Sequence, residues 1–461
     1  MFVLFFGIRL NTPVSAAVSP PLSKALLATA QVVDAVMRGR SLSDTLATVP
    51  VALRPQVQAL SYHAMRYWGF ARTVRALMVP RAPGNAVLDA LLLVALTLLD
   101  VAVKNEQATP EAPVQWPPAT PVYAIHTVVD QAVQAANTKA LSSGKALVNA
   151  CLRRFIREYD DLVQQALTRP VARYNHPDWW IKRLRSAYPK QWQDLLQAAN
   201  QPGPLVLRVN VRRSSVEQVL AACSEHGVNA LALGGQAIWV NPPRPVHDIP
   251  GFDQGWWSVQ DLAAQHAGRL LPVSNGMRVL DACAAPGGKT AHLLEQYDVH
   301  LTALDSDPVR LERINDTLSR LGLLNDHAVQ LICADAAQRA TWWDGQPFDA
   351  ILADVPCTAS GVVRRHPDIR WLRRETDIAA TAALQRTILD TLWSTLKPGG
   401  HLLYATCSVF PEECEQQARA FVQRQADACR LTAPGQILPL VHEGASVAPD
   451  GFFYALFVKA Q

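Results

Sequence analysis

The sequence predicts a multidomain chain with three parts: an all-α N-terminal domain, a small α+β module, and a C-terminal α/β domain built on a doubly wound sheet. Three observations predict it. Helical periodicity with almost no strand signal runs from about residue 20 to 165. Short strand-like runs flank one helical segment between 166 and 255, and apolar strands alternate with helices over 256–461. A length of 461 residues exceeds one ordinary domain. With 49% hydrophobic and 18% charged residues, the chain can bury sizeable cores and is not of a disordered type. Its net charge is only +4, so a nucleic-acid site would have to come from local basic patches.

Residues 1–19 begin MFVLFFGIRL, which is apolar but lacks a positive leading segment and is too short to span a bilayer. They are read as an extension. The helical region that follows is a bundle, with the runs LSKALLATAQVVDAVM, AVLDALLLVALTLLDVAV and GKALVNACLRRFIREY separated by Pro-rich breaks. Its most apolar stretch, 90–99, is flanked by Asp89 and Asp100 and reads as a buried helix, not a membrane span. In the middle module, LVLRVN and AIWVN read as strands around a helix at 215–226, and Pro242, Pro243 and Pro245 mark a linker. The tryptophan pair Trp179–Trp180 precedes Lys182, Arg183 and Arg185, and at least one of the two indoles is expected in the core. In the last region MRVLDA, HLTALD, VQLICAD, FDAILAD and HLLYAT are the strands, and FFYALFVKA reads as one more, an edge hairpin partner.

The turn Asp281-Ala-Cys-Ala-Ala-Pro-Gly-Gly-Lys-Thr290 follows the first of these strands and opens a helix. Glycines let a backbone approach a ligand, and a helix N-terminus offers free N–H groups. Ligands of open α/β sheets sit at the carboxyl ends of strands. Asp305, Asp335 and Asp354 arrive at that edge from successive strands; Asp305 suits ribose hydroxyls and Asp335 an adenine amine. A phosphate-binding P-loop is disfavoured because Cys283 stands where its first glycine belongs, and no dinucleotide G-x-G-x-x-G is present.

The eight cysteines are scattered without a CxxC pair, so neither a zinc site nor a disulfide framework is indicated. Two of them stand out. Cys357 follows the fourth strand in Asp354-Val-Pro-Cys, and Cys407 follows the fifth in Thr-Cys-Ser. Neighbouring strand ends bring both thiols to the ligand edge. Such a pair suits methylation of cytosine C5. A thiolate adding to C6 makes C5 enamine-like and able to attack a methyl sulfonium, and a second group then assists proton removal or release. Lys289 is a source of the positive environment that favours a thiolate, and Asp354 could hold the ring's exocyclic amine and N3. Just beyond Cys357, Arg364, Arg365, Arg370 and Arg373 interleave with His366 and Trp371, a pattern suited to phosphates and stacked bases.

Together these residues resemble the Sun/Nop2-type RNA cytosine-C5 methyltransferases. The likeness is carried by SVQDLAAQ (258–265), DACAAPGGKT (281–290), Asp305, Asp335, DVPCTASGVVRRHPDIRW (354–371), YATCSVFPEE (404–413) and DGFFYA (450–455). KALVNACLRR (145–154) is similar to the NusB-type RNA-binding domain, and the LRVN module resembles an RNA-recognition-like insert of bacterial members that act on ribosomal small-subunit RNA. The resemblance implies a Rossmann-like catalytic domain and S-adenosyl-L-methionine as cofactor. It implies cofactor contacts at Cys283, Ala284, Ala285, Pro286, Gly287, Gly288, Lys289, Asp305, Asp335 and Asp354. It also implies Cys407 as nucleophile, Cys357 as the group that aids release, and a target of the cytosine-967 class. DNA cytosine methyltransferases use a Pro-Cys cysteine as nucleophile, so this ordering rests on the likeness and not on spacing. A cytoplasmic monomer without metal or membrane partner is expected. Two departures are visible: Val355 stands before Pro356 where a small residue or proline is expected, and Leu456 stands where a lysine is common. The rival readings are a DNA cytosine methyltransferase, a non-catalytic RNA-binding or ribosome-assembly protein, and a P-loop hydrolase.

Overall fold

A computed structural model describes residues 20–461 except 110–112, 118, 325–327 and 442–443; the extension read over residues 1–19 lies outside the described residues. The N-terminal region is helical, with helices at Leu22–Met37, Leu42–Ala47, Arg54–Arg66, Trp68–Met78, Ala86–Gln107, Ile125–Ala135, Lys145–Arg157 and Tyr159–Leu167. The helix Ala86–Gln107 is apolar on every side, and the bundle closes around it: Leu91, Val94, Ala95, Leu96 and Leu99 are fully buried against its neighbours. By length and composition this helix could cross a membrane, but most of that window is buried inside the bundle. Asn85 starts it by accepting the Leu88 amide.

The middle module is a four-stranded antiparallel sheet of β1 (Leu205–Val209), β2 (Ala230–Gly234), β3 (Ala237–Val240) and β4 (Trp257–Val259), in the order β2-β3-β1-β4, with the helix Val216–Glu225 on one face. β4 lies past residue 255, so the sheet takes its last strand from beyond the boundary expected at the Pro-rich linker. Leu207, Val209, Val219, Cys223, Ile238, Val240 and Trp257 form its core. The opposite face of β1 carries Val206, Arg208 and Asn210, also buried, because it lies against the C-terminal domain.

The C-terminal sheet has seven strands: β5 (Arg278–Asp281), β6 (His300–Asp305), β7 (Val329–Cys333), β8 (Phe348–Asp354), β9 (Leu396–Thr406), β10 (Ala428–Ile437) and β11 (Phe452–Lys459). Their order is β10-β11-β9-β8-β5-β6-β7. The first five in sequence pair in parallel, whereas β11 pairs antiparallel with both β9 and β10. The closing strand is therefore an inner strand and not an edge. The edge belongs to β10, whose exposed, broken pattern hid it from the sequence. Both faces of the sheet are covered, which explains the unbroken apolar runs. Alternate residues divide between two cores: Val279, Ala350, Leu352, Leu403 and Tyr454 face one side, and Leu280, Ile351, Leu402, Tyr404 and Phe453 the other. β5 lies between β6 and β8, so the chain reverses direction across the sheet at its carboxyl end, where a ligand crevice forms.

The short helices Asp178–Ala187 and Trp192–Ala198 pack on the C-terminal domain and not on the middle sheet. Trp180 is fully buried with its ring 5.1 Å from Phe410, in a core shared with Val363, Ile378 and Val409. Trp179 is half-buried beside it.

Candidate active site

The turn after β5 is fixed from both ends. Thr290 donates its hydroxyl to Asp281 Oδ2 at 2.7 Å. Oδ1 of Asp281 is buried with no hydrogen-bond partner of ordinary geometry, although the Cys283 amide lies close enough to favour its charge. Burial pushes this carboxyl up to about 7. Gly287 adopts φ +94°, and a Cβ there would come within 3.1 Å of Ile314 Cα, so the turn requires glycine. The helix Gly288–Gln296 opens immediately after it, with its first N–H groups at the turn. Asp305 accepts the Ala285 amide at 3.1 Å and the Asp307 amide at 3.1 Å. Asp335 accepts Ala337 N at 2.9 Å and Gln338 Nε2 at 3.1 Å. Asp354 Oδ2 is 2.5 Å from Lys289 Nζ. Burial works against the Lys289 charge, yet Asp354 holds its pKa above the ordinary lysine value, and Cys407 also lies within its electrostatic reach.

A cavity of about 460 Å³ joins these elements. Cys283, Ala285, Asp305, Asp335, Asp354, Cys357 and Cys407 all line it. Ala284, Pro286, Gly287, Gly288 and Lys289, also expected at the cofactor, belong to the same turn but do not line this cavity. A larger groove of about 710 Å³ lies between the helical domain and residues 169–179, with Trp371 and Arg373 on its far side; neither cysteine reaches it.

Sγ of Cys357 lies 3.4 Å from Sγ of Cys407. The Cys407 contact and burial together hold the Cys357 thiol well above its ordinary pKa, so Cys357 keeps its proton at neutral pH. The two loops are tied by a carboxyl group that the sequence did not single out. Glu413 is fully buried and accepts from Thr358 N at 2.7 Å, Thr358 Oγ1 at 2.6 Å, Thr381 Oγ1 at 2.6 Å and Ser408 Oγ at 2.5 Å. It thereby grips the residue after each cysteine. Ser360 and Ser408 share a further hydroxyl contact at 2.9 Å.

The arginines expected at RNA are largely occupied inside the protein. Arg364 and Arg365 donate to Asp450 at 2.5 Å each, and Arg365 reaches Asp261 at 2.8 Å. Asp261 also accepts the Asp450 amide. Arg370 is fully buried and donates to Asn200 Oδ1 and to the carbonyls of Asn175 and Ala199. Burial and these partners remove Arg364 and Arg370 from a phosphate-binding surface, against the expectation. Arg373 is half-buried and donates to the Thr358 carbonyl at 3.1 Å. Trp371 likewise turns inward, donating to Met65 O of the helical domain at 2.8 Å.

The comparisons with known proteins agree with this architecture. The family model described as 16S rRNA methyltransferase RsmB/F matches residues 269–458, and the RsmF/B-like ferredoxin-like domain matches 176–247. A Vibrio vulnificus protein named ribosomal RNA small subunit methyltransferase B is 38% identical over 443 residues, covering 93% of this chain and 97% of its own. The chain belongs to the RsmB/F family. The namesake from Vibrio cholerae is 44% identical over 343 residues, covering 72% of this chain and 77% of its own. Among solved structures, a methyltransferase homologue from Pyrococcus horikoshii shares 27% identity at a TM-score of 0.53, over 63% of this chain and 97% of its own. PH0851 shares the fold at a TM-score of 0.69, with 24% identity over 95% of this chain and 99% of its own. As a member of the RsmB/F family, the protein is an S-adenosylmethionine-dependent rRNA methyltransferase. Leu456, where a lysine is common, pairs with Leu403 and packs into the sheet core of this RsmB/F enzyme. Val355 is buried, its amide bonded to Ala405 O at 3.2 Å. No group of three or more metal-ligating side chains occurs among the described residues.

Replacing Glu413 by Ala removes the one acceptor that four donors share and leaves the amide and hydroxyl of Thr358 without it. The expected loss is about 3 kcal/mol or more of stability, read by urea unfolding, with methyl transfer falling at least tenfold. Asp281 gives a pH signature. Its folded pKa is raised, so the stability associated with its protonated form is full below about pH 4 and is lost as pH rises through about 7. Unfolding of wild type against Asp281→Asn between pH 4 and 8 should show that decline, on the order of 4 kcal/mol, only in the wild type.

Proposed function

We propose that the protein methylates C5 of a cytosine in ribosomal small-subunit RNA, the cytosine-967 position, with Cys407 as covalent nucleophile and Cys357 as the group that aids release. The observation that carries this reading is the pair of thiols 3.4 Å apart on the wall of the cavity that the three strand-end aspartates also line.

The residues present suit S-adenosyl-L-methionine. Asp281 is buried with Oδ1 unpaired except for the nearby Cys283 amide, Gly287 holds the turn at a positive φ that favours glycine, and Asp305 and Asp335 line the cavity with carboxylates suited to hydroxyls and an amine. When bound, the cofactor supplies an electrophilic methyl group. The chain does the rest. Cys407, within reach of the Lys289 charge, adds as a thiolate to C6, forming the S–C6 bond and shifting electron density to C5. C5 takes the methyl group, and its proton leaves to a base. Loss of that proton expels the Cys407 thiolate and restores the ring. Cys357 retains its proton and can return one to Cys407 as the adduct breaks. Asp354, held by Lys289, faces the same cavity and is suited to the exocyclic amine of the ring.

The helical domain is read as a NusB-type RNA-binding domain. Arg72, Arg169 and Arg373 line the larger groove together with Trp179, which suits RNA flanking an unstacked target. Such a substrate sets the activity in the cytoplasm.

The test incubates wild type, Cys407→Ala and Cys357→Ala with labelled S-adenosylmethionine and unmodified small-subunit rRNA. Mass spectrometry of the mapped fragment reads 5-methylcytosine, and a denaturing gel reads protein–RNA adducts. The reading expects Cys407→Ala to lose both and Cys357→Ala to accumulate the adduct. Loss of the adduct in Cys357→Ala would reverse the roles, and no methylcytosine from wild type would refute the assignment.

A further inference from the structure

We infer that Arg208 is a positioning residue through which the middle module sets the geometry of the cofactor turn. The inference rests on the reading that residues 283–289 hold S-adenosylmethionine. Strand β1 alternates: Leu207 and Val209 face the module's own core, and Arg208 projects from the other face toward the methyltransferase domain. There it is completely buried. Nε and Nη2 grip both oxygens of Glu295 at 2.9 and 2.7 Å, and Nη1 donates to Gln260 Oε1 at 2.5 Å and to the Gly288 carbonyl at 2.7 Å.

The last contact is the informative one. Gly288 is the first residue of the helix that opens the turn, and Glu295 lies near the end of that same helix. One guanidinium therefore holds the helix at both ends. Asp281 and Thr290 fix the turn on the sheet side, and Arg208 fixes it on the module side. Glycines 287 and 288 supply no side chain to stiffen the segment, and Arg208 adds a charged external donor at the Gly288 carbonyl. The planar fork matters, because the guanidinium meets four acceptors spread around its plane, whereas an ammonium has three donors on a single atom. Asn210 and Arg212 continue the contact: Asn210 donates to Leu321 O at 3.2 Å, and Arg212 to Leu294 O at 2.7 Å. This face of the module is closed by the catalytic domain, so Arg208 serves the cofactor and not the RNA.

Two variants test this in the full-length protein. Arg208→Lys keeps the charge opposite Glu295 and loses the fork. Arg208→Leu combined with Glu295→Leu removes both buried charges together, which a core tolerates better than removing one, and also removes the Gly288 contact. Calorimetric titration with S-adenosylmethionine should show a Kd about tenfold weaker in both, the weight of one charge-assisted hydrogen bond. The Kd for small-subunit rRNA, and kcat at saturating cofactor, should stay within about twofold of wild type. The inference is overturned if the folded double variant binds cofactor as wild type does, or if RNA affinity falls while cofactor affinity holds. Failure of wild type itself to bind S-adenosylmethionine would instead refute the cofactor reading on which the inference stands.

Discussion

The structure depends on bringing two thiols from two separate loops into contact and keeping them there. Parallel pairing of β8 with β9 brings the loops side by side, because Asp354 pairs with Ala405 and the cysteines follow within three residues of each. Pairing alone leaves loop tips free to wander. Glu413 removes that freedom by accepting from Thr358 on one loop, Ser408 on the other, and Thr381 on the helix Glu375–Trp393. A buried carboxyl group is tolerated only when its oxygens are satisfied, and here four donors converge on them. The constraint works in both directions: the loops satisfy the carboxyl group, and the carboxyl group fixes the loops.

A second layer of buried polar groups joins the segments that surround this centre. Asp261 and Asp450 come from opposite ends of the C-terminal domain and meet Arg364 and Arg365 from the segment after Cys357. Gly361 and Gly451 pass so closely that a Cβ on Gly361 would lie 2.1 Å from the Gly451 carbonyl oxygen. The helical domain adds its own tie where Asp368 accepts the Leu42 amide at 2.9 Å and Arg66 donates to Arg364 O at 3.0 Å. The cysteine loop is thus bounded by the sheet, the final strand and the N-terminal domain at once.

Much of this was legible in the sequence, and the remainder was hidden for identifiable reasons. The βα alternation, the turn at 281–290 and the two strand-end cysteines depend on local order, which periodicity and turn chemistry reveal. The place of β11 was not local: whether a last strand lies at an edge or inside depends on where β10 pairs, and β10 is too exposed to read as a strand. The arginines after Cys357 looked like a basic patch because sequence shows their charge but not their partners. Asp450 is 86 positions from Arg364, and the carbonyls around Arg370 belong mainly to residues 175–200. Glu413 stood in a motif already quoted with its partner Ser408, yet its other partners, Thr358 and Thr381, lie 55 and 32 positions away. Arg208 was visible only as part of LRVN, because sequence does not show that the strand's second face is covered by the C-terminal domain.

The central claim is that Glu413 holds the two thiols in contact. A trivalent arsenical that bridges neighbouring thiols tests it directly, with peptide mass spectrometry locating the bridge. The account predicts one arsenical joined to both Cys357 and Cys407 in the wild type. In Glu413→Gln, kept folded at low temperature, it predicts single-thiol labelling or bridging at least tenfold slower. Equal bridging in the two proteins would contradict it and would leave strand pairing alone as the source of the geometry.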